Sequence, residues 1–148
     1  MKKIVNTLDV SKIDNFSKIF DNIALLVNIE PKRKKVLQEI KTAYAYLASA
    51  NIKVDSEFLS YAKKLKIIGS PSTGTDHLDL DLIKKKGIQC FDISKEFRLI
   101  KKFTATSELA FALMLSLNRK IVQSSHKAKQ GIWGREEFQG FQLFGKTL

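Results

Sequence analysis

Short apolar runs alternate with polar stretches along the first two thirds of the chain, and their spacing switches between the two-residue period of a strand and the longer period of a helix. Ile4 to Leu8 reads as a first strand, and Ser11 to Phe20 as a short helix with Ile13, Phe16, Ile19 and Phe20 on one face. Ile23 to Val27 is a continuous apolar strand. Pro31 suits the first turn of a helix running to about Ile40, whose Val36, Leu37 and Ile40 share a stripe, and Thr42 to Leu47 follows as the third strand. Asp55 is placed to cap a helix whose Phe58, Leu59 and Ala62 face inward, leading into Leu65 to Gly69 as strand four. Asp79 or Asp81 opens the next helix, Gly87 closes it, and Ile88 to Ile93 is strand five. Five strands joined by helices through short connections predict an α/β fold: a flavodoxin-like parallel five-stranded sheet with helices on both faces.

After Ile93 the rhythm stops. Ser94 to Phe103 is basic and irregular, and Thr106 or Ser107 then starts a helix expected to run through Asn118 and past Lys127. Its segment Leu109 to Leu117 is apolar nearly all round, which covering one face of a sheet does not require, so a second partner surface is expected. From Gly131 the chain reads as loop, with Trp133, Phe138, Phe141 and Phe144 set among glycines.

Composition narrows the class. A chain of 148 residues with 44% hydrophobic positions can bury one sizeable core. The run Leu109 to Leu117 is far shorter than the ~20 residues of a membrane span, and the start of the chain lacks the pattern of a signal peptide, so a cytoplasmic protein with no membrane partner is expected. Cys90 is the sole cysteine, lies in the apolar run Ile88 to Ile93 and reads as a buried strand thiol, with no internal disulfide to form. The net charge of +11 invites a nucleic-acid reading. Most of it is lysine, however, in the separate segments Lys32 to Lys35, Lys63 to Lys66 and Lys84 to Lys86, which read as solvated helix faces. No specific nucleic acid is therefore expected, and a non-catalytic basic interaction module binding a polyanion is the alternative reading. No metal-ligand spacing is present.

The stretch most suggestive of chemistry is the turn Ser70 to Asp79, between strand four and a helix. Turns at the carboxyl ends of parallel strands are where open α/β sheets bind ligands. Gly74 lets backbone approach a ligand closely, and the amides of Thr73, Gly74 and Thr75 are placed to hold a carboxylate without a charged side chain. His77 and His126 have no carboxylate–histidine pattern around them and are not expected to do chemistry.

Four segments in order carry a resemblance: Leu65 to Asp79 with its Thr73-Gly74-Thr75-Asp76-His77-Leu78-Asp79 turn, the Lys86-Gly87-Ile88 join, the Thr106-Ser107-Glu108-Leu109 helix start, and Gly145-Lys146-Thr147-Leu148. Together they resemble the D-isomer-specific 2-hydroxyacid dehydrogenases, a family that includes D-3-phosphoglycerate dehydrogenases. Residues 1 to 60 share only the strand-helix rhythm. The resemblance implies a substrate-binding lobe over residues 1–103, a long interdomain helix over 104–130, and a linker, 131–148, leading to a nucleotide-binding domain that the sequence does not include. It implies a small 2-oxo or 2-hydroxy acid held by Ser72, Thr73, Gly74 and Thr75, and NAD bound mainly by the further domain. Thr104, Thr106 and Glu108 would lie near that cofactor, and a homodimer would form through the 107–127 helix region. No catalytic residue is expected within these 148 residues, because the family's arginine, glutamate and histidine follow in the further domain, so the chain alone is expected to be inactive.

Departures from the family pattern bear on substrate. Phosphoglycerate-specific members often carry an arginine after the third strand, where this chain has Leu47-Ala48-Ser49-Ala50-Asn51. Ser72 stands where many members have glycine, Phe103 where several have a small polar residue, and Lys95 to Lys102 is longer than usual. Arg98 in that segment reads as a solvated loop charge. A response-regulator receiver shares the five-fold rhythm, but Leu8-Asp9, Leu47-Ala48 and Asp92-Ile93 do not supply its acidic set and lysine.

Overall fold

The computed structural model describes residues 1–147. Five strands form one parallel sheet: β1 (Lys2–Asn6), β2 (Ala24–Asn28), β3 (Ala45–Leu47), β4 (Ile67–Ser70) and β5 (Gln89–Asp92), in the order β2-β1-β3-β4-β5. That is the flavodoxin-like order. Between them lie α1 (Arg33–Glu39), α2 (Ser56–Tyr61) and α3 (Leu80–Lys85); after β5 come α4 (Phe97–Ile100), α5 (Ala105–Asn118) and α6 (Ile121–Lys129). The chain divides into two compact units, Met1–Ile100 and the segment from Lys101 onward.

Register explains the core of the first unit. Val5 pairs with Tyr46, Tyr46 with Ile68 and Ile68 with Cys90, so these side chains share one face of the sheet. Val36 of α1, Phe58 and Leu59 of α2 and Ile83 of α3 pack over that face, and the Phe58 ring lies 5.1 Å from that of Tyr46. The steps from β2 to β3, β3 to β4 and β4 to β5 all run the same way across the sheet, so right-handed crossovers place α1, α2 and α3 together. The β1 to β2 step runs the other way and its connection crosses the opposite face.

Caps set the helix ends as expected. The Asp55 carboxylate accepts from the Phe58 amide at 2.9 Å, and Asp79 accepts from the Leu82 amide at 3.0 Å. Asp55 also receives Arg33 at 2.6 Å, and Arg33 reaches Glu57 at 2.7 Å. Partial burial opposes ionisation of Asp55, but the Phe58 amide and the guanidinium outweigh it and hold the carboxyl below its ordinary value. Gly87, at φ +67, ends α3 in the left-handed conformation that glycine adopts without strain.

Several expectations need correction. The first strand is Lys2–Asn6, beginning two residues before Ile4 and ending before Thr7, whose hydroxyl takes up the chain after β3 instead. Ser11 to Phe20 is not a helix; only Phe16–Phe20 winds, as a 3-10 turn. Asp9 captures the Ser11 amide and hydroxyl, Asn15 sits left-handed at φ 59, and Ile13 and Ile19 remain exposed, so no buried apolar stripe rewards helix formation there. Strand three is shorter than Thr42 to Leu47, because Ile40–Thr42 prolongs α1 as a 3-10 turn and pairing begins at Ala45. The helix expected past Lys127 is broken: Lys120 adopts φ 50 between α5 and α6. At that break the Asn118 side chain exchanges hydrogen bonds with the Phe141 backbone, at 3.1 Å from its amide and 2.5 Å to its carbonyl, and a side chain at Gly140 would collide with the Asn118 carbonyl. The segment read as irregular, Ser94 to Phe103, contains the single turn α4, and the loop after Gly131 contains a 3-10 turn at Glu136–Phe138. Of the Gly145 to Leu148 motif, Leu148 lies outside the described residues.

Candidate functional site

Parallel strands put all their carboxyl ends on one edge, and in this order the connections from β1 and β3 leave in opposite directions, which opens a crevice beyond the ends of those two strands. The residues at that edge include Asn6 at the end of β1 and Thr7 after it, Ala48 and Ser49 after β3, and the loop Pro71 to Asp79 after β4.

Thr7 organises the first two. Its buried hydroxyl donates to the Leu47 carbonyl at 2.9 Å and accepts from the Tyr46 hydroxyl at 2.9 Å and from the Ser49 amide at 3.1 Å. Burial pushes the Tyr46 phenol up to about 12, against the opposing effects of the Thr7 hydrogen bond and the Arg33 charge. Asn6 is fully occupied by Asn28 and by the Leu8 backbone, a structural arrangement. Ser49 is different. Its hydroxyl oxygen is buried with no hydrogen-bond partner, the single such side-chain atom among the described residues. A buried hydroxyl without a partner is costly, by about 1–3 kcal/mol, and this one lies just past the carboxyl end of β3.

The β4 loop rises from a fastened base. Ser70 and His77 are both buried, and the Ser70 hydroxyl and His77 Nε2 lie 3.1 Å apart, closing a bond across the six residues between them. The His77 carbonyl accepts from the Val54 amide at 2.7 Å, and the Asp79 amide returns to the Val54 carbonyl at 3.1 Å. Burial depresses the His77 pKa despite the nearby Asp76 charge, so the ring favours its neutral form. Above this base Thr73 and Gly74 are exposed, Ser72 and Thr75 half-buried. Gly74 has no positive φ, and a Cβ added to it would meet only an Asp76 carboxylate oxygen at 3.4 Å, an ordinary contact. Neither backbone conformation nor packing within the chain calls for glycine at this position.

Ser72, Thr73, Gly74 and Thr75 are thus brought together in one loop, whereas Thr104, Thr106 and Glu108 belong to the second unit. There the Thr104 hydroxyl donates to Glu108 Oε1 at 2.6 Å and the Ser107 hydroxyl donates to the Thr104 carbonyl at 2.7 Å, fastening the start of α5. Thr106 is exposed. The glycines of the chain form no G-x-G-x-x-G turn, so the residues present do not build a pyrophosphate cradle. Cys90 is half-buried on β5, its thiol pKa raised by burial and by the Asp92 charge. Arg98 is exposed on α4, and His126 pairs with Gln130 at 3.1 Å on an exposed face of α6. Among the described residues no three His, Cys, Asp or Glu side chains converge on a metal position, and no helix is long and apolar enough to cross a membrane. The residue that sequence reasoning missed is Ser49: the segment Leu47 to Asn51 drew attention for lacking an arginine, and nothing in its composition marks one serine as orphaned.

Comparison with known proteins identifies the family. Residues 4–96 match the family model described as D-isomer specific 2-hydroxyacid dehydrogenase, catalytic domain. The chain is 35% identical over 115 residues to D-3-phosphoglycerate dehydrogenase of Archaeoglobus fulgidus, which covers 78% of this chain and 21% of the relative. It is 34% identical over 125 residues to glyoxylate reductase of Thermococcus litoralis, covering 80% of this chain and 36% of that one. In three dimensions it superposes on D-lactate dehydrogenase of Aquifex aeolicus, solved with NAD and lactic acid, with a TM-score of 0.77 at 22% identity, over 96% of this chain and 41% of that structure. The chain therefore spans between a fifth and a half of the length of these relatives. From the family match and the parallel sheet that bears the β4 loop, we conclude that the chain belongs to the D-isomer-specific 2-hydroxyacid dehydrogenase family and corresponds to its catalytic, substrate-binding domain.

Proposed function

We propose that this chain is the substrate-binding lobe of an NAD-dependent oxidoreductase that interconverts a 2-oxo acid and a D-2-hydroxy acid. The observation that carries the reading is the β4 loop, exposed at the carboxyl edge of the sheet, with a glycine at 74 that the chain's own conformation does not require. In this reading the backbone amides around Thr73, Gly74 and Thr75 hold the substrate carboxylate, Ser72 borders it, and the unpartnered Ser49 hydroxyl completes the polar lining. The relatives are named for phosphoglycerate, glyoxylate and lactate, which share a carboxylate beside the reacting carbon. Ala48 and Ser49 offer no cation after β3, which favours a substrate without a phosphate.

The nicotinamide cofactor, when bound, would supply the hydride from its reduced form as the 2-oxo acid is reduced and would accept it in its oxidised form in the reverse direction. It is held in this reading by chain beyond these 148 residues, with Thr104, Thr106 and Glu108 of α5 near it, residues 104–130 linking the lobes and 131–148 leading onward. The chain alone then binds the acid without turning it over.

The test is a titration of the isotopically labelled chain with pyruvate and with glyoxylate, followed by amide resonances in solution. Saturable shifts centred on Thr73, Gly74 and Thr75, with Ser49 following, support the reading. Shifts spread over lysine-rich surfaces, or none at millimolar acid, defeat it.

Exposed apolar side chains on α5 and α6 support a homodimer through the 107–127 region: Leu109, Leu113 and Leu117 of α5 and Val122 of α6 all stand in solvent. Light scattering is expected to give twice the chain mass, and a monodisperse monomer at 100 micromolar order would remove the proposal.

A further inference from the structure

The lysines that look scattered in sequence are not scattered in the fold. In a parallel sheet the amino ends of the strands share the edge opposite the β4 loop, and the carboxyl ends of the intervening helices arrive there. Lys41 lies in the turn before β3, Lys63, Lys64 and Lys66 between α2 and β4, Lys85 at the end of α3 and Lys86 between α3 and β5, so all six reach one edge. Carboxylates gather at the other: Asp55 and Asp79 start helices, Asp76 lies in the β4 loop, and Asp92 and Glu96 follow β5. At the lysine edge Glu39 is already engaged by Lys3 at 2.5 Å, and Asp21 stands before the edge strand β2.

Two grooves open among these lysines. One of about 530 Å³ is lined by Lys41, Ser60, Tyr61 and Lys63, with the Lys41 ammonium 5.3 Å from the centre of the Tyr61 ring. The other, of about 340 Å³, is bordered by Lys63, Lys66 and Lys86 over a floor that includes Leu65 and Ile88. They share Ser60 and Lys63 and so adjoin. Among the described residues none of Lys41, Lys63, Lys66 and Lys86 forms an ion pair with a carboxylate.

A lysine at a helix carboxyl end ordinarily answers the helix dipole, whose half charge attracts one cation. Three short helices, α1, α2 and α3, end here and present at most about 1.5 negative charges between them. Four ammonium groups exceed that, and their mutual repulsion is relieved by a bound polyanion. The grooves are of the size that takes small molecules, and lysine binds phosphate as a point charge without demanding one geometry.

We propose that this edge is a binding site for a compact oligophosphate anion, seated across Lys41, Lys63, Lys66 and Lys86. It is separate from the β4 loop by the length of the sheet, so a 2-oxo acid does not compete for it.

Sodium tripolyphosphate is the probe, titrated calorimetrically into the chain at low ionic strength. The variant Lys63→Gln/Lys66→Gln is compared with Lys12→Gln/Lys34→Gln, which removes the same charge from exposed positions away from the grooves, with circular dichroism verifying that both fold. Saturable binding that falls at least tenfold in the groove variant and less than twofold in the other is expected, with orthophosphate weaker. Equal losses in the two variants would mean diffuse charge and overturn the site, as would no binding at low salt. A single-stranded oligonucleotide whose affinity rises with length, while tripolyphosphate binds no better than orthophosphate, would overturn the compact ligand in favour of an extended one.

Discussion

Replacing Phe58 with alanine is expected to destabilise the first unit by about 3–5 kcal/mol, the cost typical of removing a fully buried phenyl ring. Phe58 is fully buried, sits one turn into α2 directly above its cap, and packs on Tyr46 in the middle of the sheet. The ring joins α2 to β3, and its loss leaves a cavity that the short α2 cannot collapse to fill. At roughly 1.4 kcal/mol per tenfold, the folding constant drops by between two and four orders of magnitude. Against the ~5–15 kcal/mol that holds a typical domain together, that is enough to unfold a measurable share of the chain at ambient temperature. Urea unfolding followed by circular dichroism reads the effect as a lower midpoint at unchanged slope. Phe144→Ala, at a ring 96% exposed, serves as the comparison and is expected within about 0.5 kcal/mol of the parent. A loss below about 1 kcal/mol at Phe58 would show that the cluster over Val5, Tyr46 and Ile68 is not the cooperative core.

The second large effect is expected on binding, with folding spared. Gly74→Ala adds one methyl at a position where the backbone is not left-handed and where the nearest heavy atom is an Asp76 oxygen at 3.4 Å. Stability should therefore hold or rise by up to about 1 kcal/mol, through the lower entropy of the unfolded chain. If the loop amides hold a carboxylate, the same methyl stands where the ligand must come within hydrogen-bond distance of backbone. Affinity for pyruvate or glyoxylate is expected to fall at least tenfold, about 1.4 kcal/mol. The pairing of intact unfolding midpoint with lost amide shifts is the result to look for. Parent-like affinity in the alanine variant would mean that side chains, and not close backbone approach, hold the acid.

Strand identity was legible because each strand contains a short apolar run, even where, as at Leu25 of β2 and Phe91 of β5, the side chain is left exposed. The caps at Asp55 and Asp79 and the glycine stop at 87 were legible for local reasons: each acts within three or four residues. What misled was local as well. Ile13, Phe16, Ile19 and Phe20 have helical spacing, yet spacing records only a potential face, and Ile13 and Ile19 stay more than half exposed. The break at Lys120 was invisible because its partners, Gly140 and Phe141, lie some twenty residues on. The family match beginning at residue 4 reaches well into the half where no motif carried the resemblance.

The site divides the same way. The β4 loop could be located because its small residues are contiguous and follow an apolar strand. Ser49 could not, since its significance comes from what fails to reach it once Thr7 has taken the neighbouring amide. The lysine edge was not legible for the same reason, as positions 41, 63, 66 and 86 become neighbours only when strands three, four and five align.

One hydroxyl at Thr7 joins the end of the first strand to a phenol, a carbonyl and an amide some forty residues away. Sequence drift at these places is therefore expected to be correlated: without a hydroxyl at position 7, the Tyr46 phenol and the Ser49 amide both lose their partner. Transplanting the β3–α2 loop into another member of the family would succeed only if residue 7 travelled with it.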